Sequence, residues 1–303
     1  MLRKFLRGTA IVAGALVVVV LSAFVVVYFV TQRRIDEHVK IAGHQPKVPT
    51  DSASIARGEH VAKALSKCTE CHGPDLGGKV FIDAPPVAHL FAMNLTRGEG
   101  GIGGQMSDLD WERAIRHGVA PDGRKLLMMP AYEFQHLNDD DLGALIAYVK
   151  SVPPVNRTWP AGSIGPVGRV LYLKGDIPLL SADMVDHNAA PPAVVSPGPT
   201  LEFGRYVLTV GGCKGCHGET LSGGHIPGTP PDWRAPANLT PKGIGHYTEA
   251  DFFRALREGV RPPGTPIDTV YMPVRSTKFM TDDEIRALFM VLKTLPPKEF
   301  GGR

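Results

Sequence analysis

Cys213-Lys-Gly-Cys216-His217 and its earlier twin, Cys68-Thr-Glu-Cys71-His72, decide how this chain is read. A C-x-x-C-H run is an attachment site of c-type haem. Two residues between the sulfurs let one turn of chain span the vinyl edge of a porphyrin, where the thiols add as thioethers. The adjacent imidazole then sits under the iron as its proximal ligand. A zinc or redox C-x-x-C that happens to precede a histidine is the alternative for a single copy. It fits two copies badly, because the chain has four cysteines and both pairs fall in the same five-residue pattern. Two covalent haems are therefore expected, on Cys68 with Cys71 and on Cys213 with Cys216, ligated by His72 and His217, with no thiol left for a disulfide.

Outward from the motifs the chain repeats itself with a period of roughly 143 residues, which marks a duplicated domain and not a solenoid. Gly58-Glu-His-Val61 answers to Gly204-Arg-Tyr-Val207, and Gly73 with Gly77-Gly78 to Gly218 with Gly223-Gly224. Met93-Asn-Leu-Thr96 answers to Ala237-Asn-Leu-Thr240, and Trp111-Glu-Arg-Ala-Ile-Arg116 to Phe252-Phe-Arg-Ala-Leu-Arg257. Each copy closes with the same helix signal: Asn138 and Thr281 as N-caps, Asp141 and Glu284 three residues on, then apolar residues at helical spacing. Pro153-Pro154 and Pro296-Pro297 end these helices. Strands are hard to find, so the expected fold is all-α: residues 53–155 and 200–299 as two tandem domains, each with a haem supplying most of its core.

An electron-transfer haem needs a second axial ligand, and the soft thioether of methionine raises its potential. Met129 and Met272 occupy equivalent places in the repeat, each before a proline that fixes the local backbone. A core methionine is the commoner fate of any methionine, and Met128 stands next to Met129 as a competitor. Arg116, Arg257, Asn94 and Asn238 are candidate partners of the haem propionates, although polar residues on a helix surface would look the same. His60 faces Tyr206 in the repeat and is expected to pack like an aromatic where the terminal helices cross.

Residues 1–34 read as a membrane anchor. The apolar run from Thr9 to Val30 is uninterrupted by charge; about 21 helical residues at roughly 1.5 Å each match a bilayer core of about 30 Å. A cleaved signal peptide would have a shorter apolar core and a small-x-small cleavage site, whereas this run ends in Val-Tyr-Phe-Val30. Basic residues flank it on both sides, so charge does not orient it. Residues 35–52 form a tether, and residues 156–199 a Pro-rich linker in which Val170–Leu180 is apolar enough to dock on a domain. The net charge of +3 and the lack of basic runs interleaved with aromatics give no support for a nucleic-acid partner. Residues 53–155 carry a net −3 and residues 200–303 a net +2.

The glycine-led opening helix, C-x-x-C-H, late Met-Pro and closing helix resemble class I cytochromes c. The Asn-Leu-Thr, Gly-Ile-Gly and Arg-Ala-Ile/Leu-Arg series is similar to the cytochrome c subunits of membrane-bound alcohol and aldehyde dehydrogenases. The resemblance covers about residues 53–155 and 200–299. It implies His/Met-ligated haems that relay single electrons from a periplasmic donor to a respiratory-chain acceptor, with the chain held in the bacterial inner membrane and the haem domains in the periplasm. A subunit of a larger dehydrogenase or oxidase complex is one form of that role. Those subunits carry three haems and this chain offers two motifs, so their partner and substrate do not carry over. The rival is a dihaem enzyme of the cytochrome c peroxidase kind with one open haem, against which a Met-Pro in both copies argues.

Overall fold

The apolar run holds no proline, and it is helical throughout as α1, Leu2–Ile35, in a computed structural model that describes residues 2–303. The helix is long and apolar enough to cross a bilayer, and its apolar window is not covered by the rest of the protein. Residues 36–50 do not hang free. They run extended along the first repeat, where the Val39 amide donates to the Gly123 carbonyl (2.9 Å) and Glu37 pairs with Lys125 (2.6 Å).

The first repeat begins with α2, Ser52–His60, capped by Asp51, which accepts from the Ser54 amide at 2.9 Å. A single wide turn over Val61–Leu65 leads to α3, Cys68–His72. Strands β1 (Lys79–Ala84) and β2 (Ala88–Ala92) follow, then α4 (Asp108–His117), α5 (Ala131–Phe134) and the closing α6 (Asp139–Ser151). Between the repeats lie β3 (Ser163–Ile164), α7 (Pro166–Lys174) and a tight helical turn at Ser181–Met184. The second repeat runs α8 (Leu201–Val210), α9 (Cys213–His217), α10 (Pro241–Ile244), α11 (Glu249–Arg257), the short pair β4 (Val260–Arg261) and β5 (Thr265–Pro266), α12 (Val274–Thr277) and the closing α13 (Asp282–Thr294).

In each repeat the opening and closing helices cross at a glycine. A Cβ on Gly58 would stand 1.9 Å from the Ala144 carbonyl oxygen, and one on Gly204 would stand 2.1 Å from that of Ala287. No side chain fits at either crossing, which explains why glycine opens both repeats. Around the crossings, Leu65, Leu145 and Ile146 of the first repeat and Phe203, Ile285 and Leu292 of the second belong to one continuous buried cluster.

The fold is mostly helical, and the expectation of an all-α chain is corrected by a three-stranded antiparallel sheet in the order β1-β2-β3. Val80, Phe81 and Ile82 on one side of Pro85-Pro86 and Leu90 and Phe91 on the other supply the β-branched and aromatic residues that a hairpin needs. The second repeat has Pro227, Pro230, Pro231 and Pro236 over the corresponding stretch. Proline cannot donate to a ladder, and no hairpin forms there. The linker is also more structured than a spacer: Leu179 and Leu180 are buried, and Leu180 bridges to Leu127 beside Met128.

Candidate functional site

Each C-x-x-C-H motif is a one-turn helix entered through a left-handed residue, Lys67 (φ 51°) before Cys68 and Gly212 (φ 60°) before Cys213. Gly73 (φ 79°) and Gly218 (φ 82°) turn the chain out again. The histidine carbonyl then accepts from Gly78 in one copy (2.8 Å) and from Gly223 in the other (2.9 Å). The structural register therefore pairs Gly78 with Gly223, one place from the Gly224 alignment of the bare sequence.

The two imidazoles are held alike. His72 Nδ1 lies 2.8 Å from the Met93 carbonyl oxygen, and His217 Nδ1 lies 2.7 Å from that of Ala237. A carbonyl only accepts, so Nδ1 carries the proton and the Nε2 lone pair is left for a metal. Burial lowers the pKa of both rings, which favours this neutral form. Burial pushes the Cys68 thiol up to about 12 and Cys71 to about 11, and raises Cys213 and Cys216 in the same sense. A redox C-x-x-C depends on a lowered thiol pKa, so these pairs have the opposite environment. Among the described residues no group of three or more His, Cys, Asp or Glu stands close enough to hold a metal ion, as the zinc alternative requires.

Met129 and Met272 are half-buried against the same apolar cluster as Cys68 and Cys213. The prolines after them share one backbone conformation, Pro130 at φ −80°, ψ 59° and Pro273 at φ −76°, ψ 58°. In both copies the methionine carbonyl accepts from the amide two residues on, Ala131 at 2.8 Å and Val274 at 2.7 Å. Met128 has a left-handed backbone (φ 57°) and gives its amide to the Leu179 carbonyl at 2.9 Å. The Ser181 hydroxyl donates to the Met129 carbonyl and accepts from the Ala131 amide at 3.3 Å. The linker thus clasps the Met129 loop, a role that no spacing in the sequence announces.

These residues fit haem c. Each copy offers two thiols one helical turn apart, an imidazole with Nε2 free, and a thioether on the same core. In the first copy Trp111, in that cluster, also keeps a buried indole N–H with no hydrogen-bond partner in the protein. An acceptor on a bound group would satisfy it.

The four polar residues expected beside the haem propionates also have partners inside the fold, while Arg116 keeps Nε and Nη1 buried with no hydrogen-bond partner in the protein, as a propionate ligand would require. Arg116 Nη2 donates to the Leu137 carbonyl (2.7 Å) and to Asp139 (2.8 Å), and Arg257 Nη2 does the same to Met280 (3.3 Å) and Asp282 (2.5 Å). Asn94 Nδ2 donates to the Val155 carbonyl at 2.7 Å, and Asn238 Nδ2 to that of Lys298 at 2.8 Å. Arg116 and Arg257 thus brace α4 and α11 to the start of the closing helix, and Asn94 and Asn238 tie the stretch after each motif to the chain beyond that helix.

The two repeats meet through exchanged partners. His60 Nε2 lies 2.8 Å from Glu284 of the other repeat, and the Tyr206 hydroxyl donates to Asp141 at 2.6 Å. His60 and Tyr206 are repeat mates, and so are Asp141 and Glu284; each capping acid is therefore bound by the other repeat. His60 is a hydrogen-bonding group at this crossing, not the aromatic-like packing residue expected. Burial alone would raise the Glu284 pKa, but His60, the Thr281 amide and Arg57 together outweigh it and the net direction is down.

The motif helices sit at the same interface. Glu70, inside the first motif, accepts from Arg275 and Ser276 of α12, each at 2.5 Å. In the other direction Glu133 of α5 packs on the second motif so closely that a Cβ on Gly212 would stand 2.1 Å from its carboxylate. Burial pushes Glu133 up to about 6, with Lys67 opposing the shift.

Residues 53–149 match the family described as cytochrome c oxidase, cbb3-type, subunit III. The chain is 28% identical over 284 residues to the cytochrome c subunit of the quinone alcohol dehydrogenase of Komagataeibacter europaeus, covering 82% of this chain and 57% of that protein. It is 29% identical over 287 residues to the gluconate 2-dehydrogenase cytochrome c subunit of Pantoea cypripedii, with 82% and 61% covered. A diheme c-type cytochrome of Cereibacter sphaeroides is 27% identical over 282 residues, with 82% and 88% covered. The chain thus spans little more than half the length of the alcohol dehydrogenase subunits it matches.

Proposed function

The chain is an electron-transfer c-type cytochrome related to the cytochrome c subunits of membrane-bound dehydrogenases, and from that premise we propose that it carries two haems and relays single electrons between them. Residues 53–155 and 200–299 are its two cytochrome domains, with residues 1–34 as the anchor and residues 156–199 as the linker. His72 and Met129 ligate one iron, and His217 and Met272 the other. A haem so ligated exchanges one electron at a potential raised by the thioether. The chain's own residues do the positioning: the Met93 and Ala237 carbonyls fix the imidazoles, and Ser181 and Leu179 hold the Met129 loop.

The observation that carries the reading is the doubled arrangement itself, with each motif helix seated against the Met-Pro helix of the other repeat. Such an interface favours internal transfer over two independent carriers. On this reading α1 holds the protein in the bacterial inner membrane with both domains in the periplasm, as its length and apolar character support. Its donor is a periplasmic redox protein, or the catalytic subunit of a dehydrogenase to which it is bound, and its acceptor is in the respiratory chain. A redox titration followed at the red-end absorbance band of Met–iron ligation tests this. The band should account for both haems; one high-spin haem would favour the peroxidase-type enzyme. Co-purification with a catalytic partner distinguishes the complex subunit from a free carrier.

A further inference from the structure

The linker helix α7 lies beside the end of the apolar span. Its Gly168 and Arg169 face inward: a Cβ on Gly168 would stand 2.1 Å from the Val87 carbonyl oxygen at the hairpin turn. Arg169 is buried, and Nη1 donates to Thr31 Oγ1 at 2.6 Å while Nη2 donates to Gln32 Oε1 at 2.8 Å. Its guanidinium lies 4.4 Å over the Tyr28 ring, and Arg34 returns the contact over Tyr172 at 5.8 Å. These contacts pin α7 to Tyr28–Arg34 of α1, where the apolar run gives way to charge.

The opposite face of α7 is open and, apart from Lys174 at its C-terminal end, apolar. Val167, Val170 and Leu173, at spacings of three, are 44%, 40% and 37% exposed. At about 1.5 Å per residue, the Thr31 contact of Arg169 lies within a few ångström of the last apolar residue of α1. Any bilayer crossed by α1 therefore meets α7 at the boundary between acyl chains and headgroups. Tyr28, half-exposed beside it, is the residue type enriched at that depth.

We propose that α7 is an interfacial helix whose Val167, Val170 and Leu173 are buried in the outer leaflet of the membrane that α1 spans. The occupant of this face is lipid, because α7 is pinned to α1 where the apolar span ends and the face is turned away from the protein. The consequence is positional: with Arg169 locked onto α1 and residues 36–50 strapped along the first repeat, that repeat is held at a fixed height and orientation on the membrane. The inference rests on the proposed anchor.

The test uses the full-length haem protein in vesicles and three single variants, Val20→Cys in the span, Val170→Cys on α7 and Glu202→Cys on the exposed surface of α8. Each is treated with a membrane-impermeant maleimide, before and after denaturation, and weighed intact. Only a thiol in water reacts, since the thiolate is the nucleophile. Val20→Cys and Val170→Cys should label several-fold more slowly than Glu202→Cys in vesicles and fully after denaturation. Protection at Val20→Cys with rapid labelling at Val170→Cys would overturn the interfacial helix and leave the anchor standing. Rapid labelling at all three would overturn the anchor and the helix with it.

Discussion

Removing Glu284 should loosen the joint between the two repeats. Its carboxylate is almost fully buried and accepts from His60 at 2.8 and 2.9 Å, from the Thr281 amide at 2.8 Å and from Arg57 at 3.4 Å. Breaking a fully buried charged pair costs about 3–5 kcal/mol. Two features reduce that here: Arg57 keeps its bidentate hold on Asp141 at 2.7 and 2.9 Å, and the His60 ring is one-fifth exposed. Glu284→Ala should therefore cost about 2–3 kcal/mol, the loss of one strong charge-assisted bond with one donor left partly solvated. The specific term is isolated by a cycle of Glu284→Ala, His60→Ala and the double variant in urea unfolding of the haem protein. A coupling of about 1.5–2 kcal/mol, more than tenfold in the folding constant, is expected. A coupling below about 0.5 kcal/mol would show that the exchanged acids do not hold the repeats together. The sign with pH follows from the lowered Glu284 pKa: the contribution is complete above the ordinary glutamate range and is lost as pH falls through the folded value.

Glu133 should act in the opposite sense. Its pKa is raised to about 6, so the folded state keeps a proton that the unfolded chain gives up, and stability should fall by about 2 kcal/mol in all as pH rises from below the ordinary glutamate range to above the folded value. Glu133→Gln should flatten that limb in denaturant titrations at several pH values. At the helix crossings, Gly58→Ala and Gly204→Ala add a Cβ to space already taken, and each should lose about 1–3 kcal/mol even after the helix-propensity gain. Gly104→Ala, with nothing within 4 Å, is the neutral control in the same melts. Met272→Leu should abolish about half of the Met–iron band and lower one of the two reduction potentials, and Met129→Leu should do the same to the other. Persistence of the full band in Met129→Leu would move the ligand to Met128.

Much of this arrangement was legible because the chain states it twice. Gly58 and Gly204 read as equivalent from their distance to the motifs, and the structure shows why no larger residue serves at either crossing. The Asn138 and Thr281 caps were legible for the same reason. Glu284 closes its box by accepting from the Thr281 amide, whereas Asp141 does not close the other; that both acids also reach partners across the interface was not legible. The β1–β2 hairpin was missed because only one repeat has it, and comparison of repeats is blind to what they do not share. Leu179, Ser181 and Arg169 were invisible as functional positions for a related reason. They lie in the unique linker, and their roles depend on contacts with residues distant in the chain. Arg116, Arg257, Asn94 and Asn238 carry shared braces inside the fold, which their repetition in the sequence does not distinguish from a shared ligand site, and Arg116 keeps two buried donors that such a site would use.

Intact-mass measurement on the polypeptide extracted from membranes and denatured tests the two-haem assignment most directly, because thioether-bound haem survives denaturation. The expected mass is that of the polypeptide plus two haems, with no cysteine of the two motifs available to alkylation. A chain of unmodified mass with four reactive thiols would contradict the assignment at both motifs.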